Sequence, residues 1–130
     1  MLKRAKWLAK EGVLRIKYMT NKDCIFCKIV SGEIKSNIIY KDDSTIAFPD
    51  INPIAATHVL IVPKKHIESV LTIGETEGSD LAAMFNAASE ISKEKGVDSF
   101  RLSFNAGKFQ HVPHLHMHFL AGSKIEWSRL

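Results

Sequence analysis

No apolar run in this 130-residue chain approaches the roughly 18 residues that a membrane span needs, so no membrane segment is expected. The first 20 residues also lack the continuous apolar stretch of a secretory signal. Soluble, cytoplasmic placement is the expectation. Cysteine is scarce as well: Cys24 and Cys27 are the only two, and their C-x-x-C spacing in a reducing compartment reads as metal binding or redox chemistry rather than as a structural disulfide. The folded body carries no excess of basic charge. Of the net charge of +4, Lys3, Arg4, Lys6, Lys10, Arg15 and Lys17 against Glu11 place +5 in the first 18 residues, which leaves about −1 for the rest. A polyanion-binding face on the fold is therefore not implied, and nucleic acid is not an expected partner.

Residues 1–20 form a basic extension. They are expected as a disordered tail, as sequence upstream of a functional start at Met19, or as a short amphipathic helix. Residues 21–130 are long enough for one domain with a substantial core, and the 45% hydrophobic content fits a globular protein.

Within that domain, Asp23 is a plausible N-cap for a short helix with Ile25, Phe26, Ile29 and Val30 on its apolar side, ending near Gly32. Ile38-Ile39-Tyr40 and Thr45-Ile46-Ala47-Phe48 flank a polar break and read as a hairpin, followed by a loop from Pro49 to Pro53. Val59 to Val62 is apolar without alternation, as for a strand covered on both faces, with His58 at its entrance and Pro63 at its end. Ser79 is expected to cap a long helix whose stripe is Leu81, Met84, Phe85, Ala88 and Ile91, stopping at Gly96. Phe100, Leu102 and Phe104 alternate with Arg101 and Ser103 as a half-exposed strand, and Asn105-Ala106-Gly107 reads as a turn. These elements make a mainly antiparallel α+β domain.

The most informative segment is His114-Leu115-His116-Met117-His118. An extended strand projects alternate residues to one face, so the three imidazoles share one surface while Leu115, Met117 and Phe119 face the other. Three same-face imidazoles can ligate a metal, hold a phosphate, or divide into nucleophile and proton-handling roles, and spacing alone does not choose among these.

The context narrows the choice. His-φ-His-φ-His, preceded by Asp23-Cys24-Ile25-Phe26-Cys27-Lys28-Ile29, by Asp50-Ile51-Asn52-Pro53 and by Thr57-His58-Val59-Leu60-Ile61-Val62-Pro63-Lys64-Lys65-His66, resembles the histidine triad (HIT) family in its Hint-type branch, over about residues 22 to 127. The resemblance implies a HIT-like α+β fold: a sheet of about five mainly antiparallel strands, one long helix and a short N-terminal helix. It implies a hydrolase of purine nucleoside phosphoramidates or related nucleotide conjugates, in which His116 attacks the α-phosphorus to give a covalent nucleotidyl-histidine. His118 would hydrogen-bond a phosphate oxygen, with His58 and His114 completing the histidine set.

By the same resemblance, Asp50 accepts the ribose hydroxyls, Phe26 and Ile51 lie near the base, and Asn105 and Gln110 lie on the phosphate side. His111 departs from the family pattern, and is either a proton donor to the leaving group or an inert exposed replacement. Cys24, Cys27, His66 and His114 correspond to a structural zinc set, with no catalytic cofactor implied; metal-free buried cysteines are the alternative. A homodimer with the long helix near its axis is also implied. Competing functions are a dinucleoside polyphosphate hydrolase, a nucleotide- or partner-binding module with vestigial activity, and a metallohydrolase with zinc on the triad.

Overall fold

The computed structural model describes residues 23–122 and 124–126; the expectations for residues 1–20, Met19 and the end of the chain lie outside them. The described chain forms a five-stranded sheet in the order β1-β2-β3-β5-β4, from β1 (Tyr40–Lys41), β2 (Thr45–Pro49), β3 (Thr57–Pro63), β4 (Arg101–Ser103) and β5 (Met117–Ala121). Every ladder is antiparallel. Two helices, α1 (Ile25–Ser31) and α2 (Gly78–Lys95), accompany it.

Strand register sorts the residues into two layers, because paired residues share a face. The rows Ala47–Ile61–Met117 and Val59–Phe119 face α2, and meet its Met84, Ala87, Ala88 and Ile91 in the larger core. The rows Phe48–Leu60–His118 and Ile46–Val62 point the other way, toward Phe26 and Cys27 of α1. The continuously apolar β3 serves both cores, as its sequence predicts. The functional residues gather on the α1 face.

Several local expectations shift. The cap of α1 is Cys24, not Asp23: its Sγ accepts the Cys27 N–H at 3.3 Å, so the helix begins one residue later, and it closes at Gly32 with φ 87°. Ser79 lies inside α2. The helix is entered instead through a 3-10 turn, where the Glu77 carboxylate accepts from Gly74 N–H at 2.7 Å and pairs with Lys65 at 2.9 Å, contacts that hold its carboxyl at about 2. Phe85 is half exposed rather than core. The buried stripe runs through Met84, and one residue further turns a helix by about 100°, which places Phe85 on the flank beside Phe104 at 6.4 Å.

The hairpin forms, but its first strand is Tyr40–Lys41, and Ile38 is exposed. Asp42 shapes the turn by accepting from Ser44 N–H and Thr45 N–H, both at 2.9 Å. His58 lies within β3 rather than at its entrance. Gly122 has φ 119°, and a Cβ there would lie 2.6 Å from that of Ala56, so the chain leaves β5 at a point that admits only glycine.

Candidate active site

The regular strand starts only at Met117, so His114 and His116 precede the ladder. Their stretch is anchored differently, by Leu115 N–H donating to Ile67 O at 2.7 Å. The alternation nevertheless persists: Leu115, Met117 and Phe119 enter the α2 core and all three histidines take the opposite side, each buried. Burial of an imidazole is tolerable only when its nitrogens are assigned, and the hydrogen bonds here assign them.

His116 lies 2.7 Å through Nδ1 from the carbonyl of His114. A carbonyl only accepts, so Nδ1 carries the proton and Nε2 keeps a free lone pair. His58 Nδ1 accepts the Ile54 N–H at 3.1 Å, which places its proton on Nε2, and that nitrogen lies 2.9 Å from His118 Nδ1. The proton of His118 is therefore on Nε2, a buried donor with no partner among the described residues. Backbone geometry at Ile54 thus decides, through two rings, which atom of His118 faces the cavity.

Asp50 completes this chain. Its Oδ1 accepts Asn52 N–H at 2.8 Å, fixing its turn, and its Oδ2 lies 3.4 Å from His58 Nε2. Asp50, His58 and His118 are close enough to suggest a metal site. The proton on His58 Nε2 opposes that reading, since ligation through Nε2 would need an imidazolate or loss of the bond from Ile54.

Burial keeps these rings neutral. It lowers His116 below its ordinary range, against the opposing effect of the bond to His114, and lowers His58 against the pull of Asp50. His118 falls from 6.5 to about 3, from burial first and then from His116 and His58. Below pH 6.5 the unfolded chain takes up protons that the folded His118 refuses, so stability is full above that pH and is lost as pH drops toward 3. Urea midpoints are expected to hold level above neutrality and then decline, by on the order of 1 kcal/mol per pH unit for each such histidine. A level midpoint down to about pH 4.5 would contradict neutral burial.

A cavity of about 460 Å³ adjoins these groups, a size that suits a small ligand. Of the residues singled out in the sequence, Phe26, Asp50, Ile51, His58, His111, His116 and His118 line it, whereas Asn105, Gln110 and His114 do not. The Gln110 amide instead donates to the carbonyls of Glu68 at 2.8 Å and Val112 at 2.9 Å, tying the loop ahead of the triad. Phe26 meets His116 edge-on at 5.2 Å, and Ile51 is 91% exposed at the rim. The apolar wall also includes Ile29, Ile34, Phe48 and Leu60, none of which was singled out from the sequence as a site residue. The cross-strand row Phe48–Leu60–His118 was the signal, and it appears only once the strands are paired.

Behind the cavity stands the second cluster. Cys24 Sγ lies 3.2 Å from His114 Nδ1, and Cys27 Sγ lies 3.2 Å from His66 Nδ1 and 3.5 Å from His114 Nδ1. All four donor atoms lie within 4.8 Å of one another. Tetrahedral zinc with ordinary Zn–S and Zn–N bonds spaces its donors by roughly 3.3–3.8 Å, so the donor set fits. His114 Nε2 donates to Pro63 O at 2.8 Å, leaving Nδ1 free of its proton and aimed at the thiols. These residues can therefore bind a metal.

Comparison with known proteins agrees with this arrangement. Residues 23–129 match the family described as "Scavenger mRNA decapping enzyme C-term binding". The chain is 39% identical over 108 residues to an Escherichia coli protein named purine nucleoside phosphoramidase, covering 80% of this chain and 91% of that one. A histidine triad protein from Clostridium difficile is 46% identical with a TM-score of 0.79, covering 82% of this chain and 96% of its own. A HIT family hydrolase from Legionella pneumophila is 37% identical with a TM-score of 0.76, covering 80% and 96% respectively. With its three alternating imidazoles on the α1 face of this sheet, the chain belongs to the histidine triad family.

Proposed function

We propose that this protein hydrolyses purine nucleoside phosphoramidates or related nucleotide conjugates at the α-phosphorus, through a covalent nucleotidyl-His116 intermediate. The observation that carries this reading is the tautomer of His116: with Nδ1–H held by the His114 carbonyl at 2.7 Å, the nitrogen left free is the nucleophilic one. Attack through Nε2 forms the N–P bond and leaves the imidazolium charge beside a carbonyl oxygen, which stabilises it.

His118 Nε2–H is the donor for a phosphoryl oxygen, where negative charge builds in the transition state. His58 holds His118 in the donating tautomer and is a positioning residue. Asp50 accepts from the ribose hydroxyls, while Phe26, with Ile51 at the rim, offers the base an apolar slot. Water then attacks phosphorus on the far side from His116, releasing the nucleoside monophosphate and the free imidazole.

Cys24, Cys27, His66 and His114 would hold a structural zinc ion, which when bound cross-links α1, the segment after β3 and the triad, with all four ligands supplied by protein. The free thiols suit a reducing compartment such as the cytoplasm. Half-exposed Phe85 beside Phe104 supports a homodimer with α2 at the contact.

Release of AMP from adenosine 5′-phosphoramidate by the purified protein tests the reading. Steady release supports it. A folded protein that leaves this compound intact but cleaves a diadenosine polyphosphate would move the assignment to the polyphosphate hydrolases, and one that binds AMP without cleaving either would make it a binding module.

A further inference from the structure

Breaking a P–N bond to an amine requires a proton on the departing nitrogen, and the cavity offers few sources. His116 has one N–H, committed to the His114 carbonyl, and its other nitrogen is the nucleophile. The single N–H of His58 is given to His118. The N–H of His118 belongs to a neutral ring that burial keeps neutral far below pH 7, so it hydrogen-bonds well but is a very weak acid. Asp50 presents both oxygens as acceptors, one to Asn52 N–H and one toward His58.

Two basic side chains also line the cavity, Lys35 on the segment after α1 and His111 on the loop that leads into the triad. An imidazole, whose ordinary range spans neutral pH, is better matched to giving and retaking a proton than an ammonium. His111 is the exposed member of the cavity's four histidines and stands three residues ahead of the triad.

We infer that His111 is a catalytic residue of the reaction proposed above: it protonates the leaving nitrogen as His116 attacks, and afterwards takes the proton of the incoming water. In the first step the His116 Nε2–P bond forms and the P–N bond breaks. Its electron pair stays on nitrogen and receives the proton from the His111 imidazolium, so the products are a free amine, neutral His111 and nucleotidyl-His116. In the second step water adds its oxygen to phosphorus and its proton to His111, the P–His116 bond breaks, and both histidines return to their starting states. The inference names a substrate class, nucleotide amides whose leaving group is a basic amine.

The titratable and charged groups that line the cavity with it are His116 and His118 from the triad segment, Asp50, His58 and Lys35; Lys108 lies on its own loop, over the Phe109 ring at 5.9 Å.

Because the inference rests on the proposed function, the test uses two AMP derivatives that differ only at the leaving group. An N-alkyl phosphoramidate must leave with a proton; a p-nitrophenyl ester leaves as a stable anion without one. In single-turnover measurements His111→Gln is expected to slow amine release from the amide by about 10²-fold, with at most about a 3-fold change in the first burst of p-nitrophenol from the ester, a step that needs no proton on the leaving group. Equal losses on both compounds would show a general structural role, and no loss on either would show an inert surface residue; each overturns the inference while leaving nucleophilic His116 intact. Wild-type protein inactive on both would overturn the proposed function and this inference together. The ester also verifies that the variant is folded, since its site must still cleave it.

Discussion

Replacing His116 with alanine is expected to reduce AMP release from adenosine 5′-phosphoramidate by on the order of 10⁴-fold or more, with AMP binding kept within a few-fold of wild type. The asymmetry follows from geometry. In the proposed mechanism His116 supplies the attacking nitrogen, whereas affinity comes from the apolar wall, Asp50 and the still intact His118 donor. Titration calorimetry with AMP and a discontinuous AMP-release assay read the two quantities separately. Alanine-substituted protein that retains more than about a tenth of the activity would eliminate the covalent route and favour direct attack by water.

Cys27→Ala is expected to abolish binding of the proposed zinc and to lower the thermal midpoint by on the order of 10 °C or more, corresponding to several kcal/mol. Cys27 Sγ lies beside both imidazoles of the cluster, 3.2 Å from His66 Nδ1 and 3.5 Å from His114 Nδ1, so its loss removes a ligand that adjoins both. Activity should fall as well, by about 10-fold, though no cluster residue lines the cavity. The reason lies in one residue used twice. The His114 side chain belongs to the cluster, while its carbonyl holds His116 Nδ1–H at 2.7 Å, so a displaced His114 releases the nucleophile's tautomer.

Elemental analysis, calorimetry and turnover on one preparation check the three effects, and a strong chelator applied to wild type should reproduce them. Full stability and activity in the variant, with no metal in wild type, would make the pair two buried apolar cysteines. Loss of activity that returns on adding metal to a protein lacking His116 would instead point to metal-centred hydrolysis.

Elements governed by neighbours in sequence were readable before folding. The period-two run at 114–118 predicts three imidazoles on one side and Leu115, Met117 and Phe119 on the other, and that division holds even though the regular strand begins late. Gly32 and Gly96 end their helices as expected, because a left-handed backbone at a helix end favours glycine. The misplaced starts have one cause. A cap is chosen by whichever side chain reaches the free N–H groups, and at α1 the Cys24 sulfur reaches where Asp23 was expected to, while at α2 the Glu77 carboxylate closes the preceding turn ahead of Ser79. Phe85 was miscounted as core because a helical stripe has edges that a list of apolar residues does not show.

By itself, then, the sequence determined the residue types and their local facing: three alternating imidazoles and a C-x-x-C pair are legible in motifs a few residues long, because period and spacing are local properties, whereas the role of each imidazole was implied only by the family resemblance. Tertiary structure alone decided their proton states and their enclosure. His58 and His118, sixty positions apart, share a hydrogen bond because β3 pairs with β5, and the Ile54 N–H sets both tautomers. The wall of Phe48 and Leu60 exists through strand register, and His114 joins Cys24 across ninety positions. A nitrogen's proton depends on which group lies within about 3 Å of it, and that distance is defined only once the chain has closed on itself.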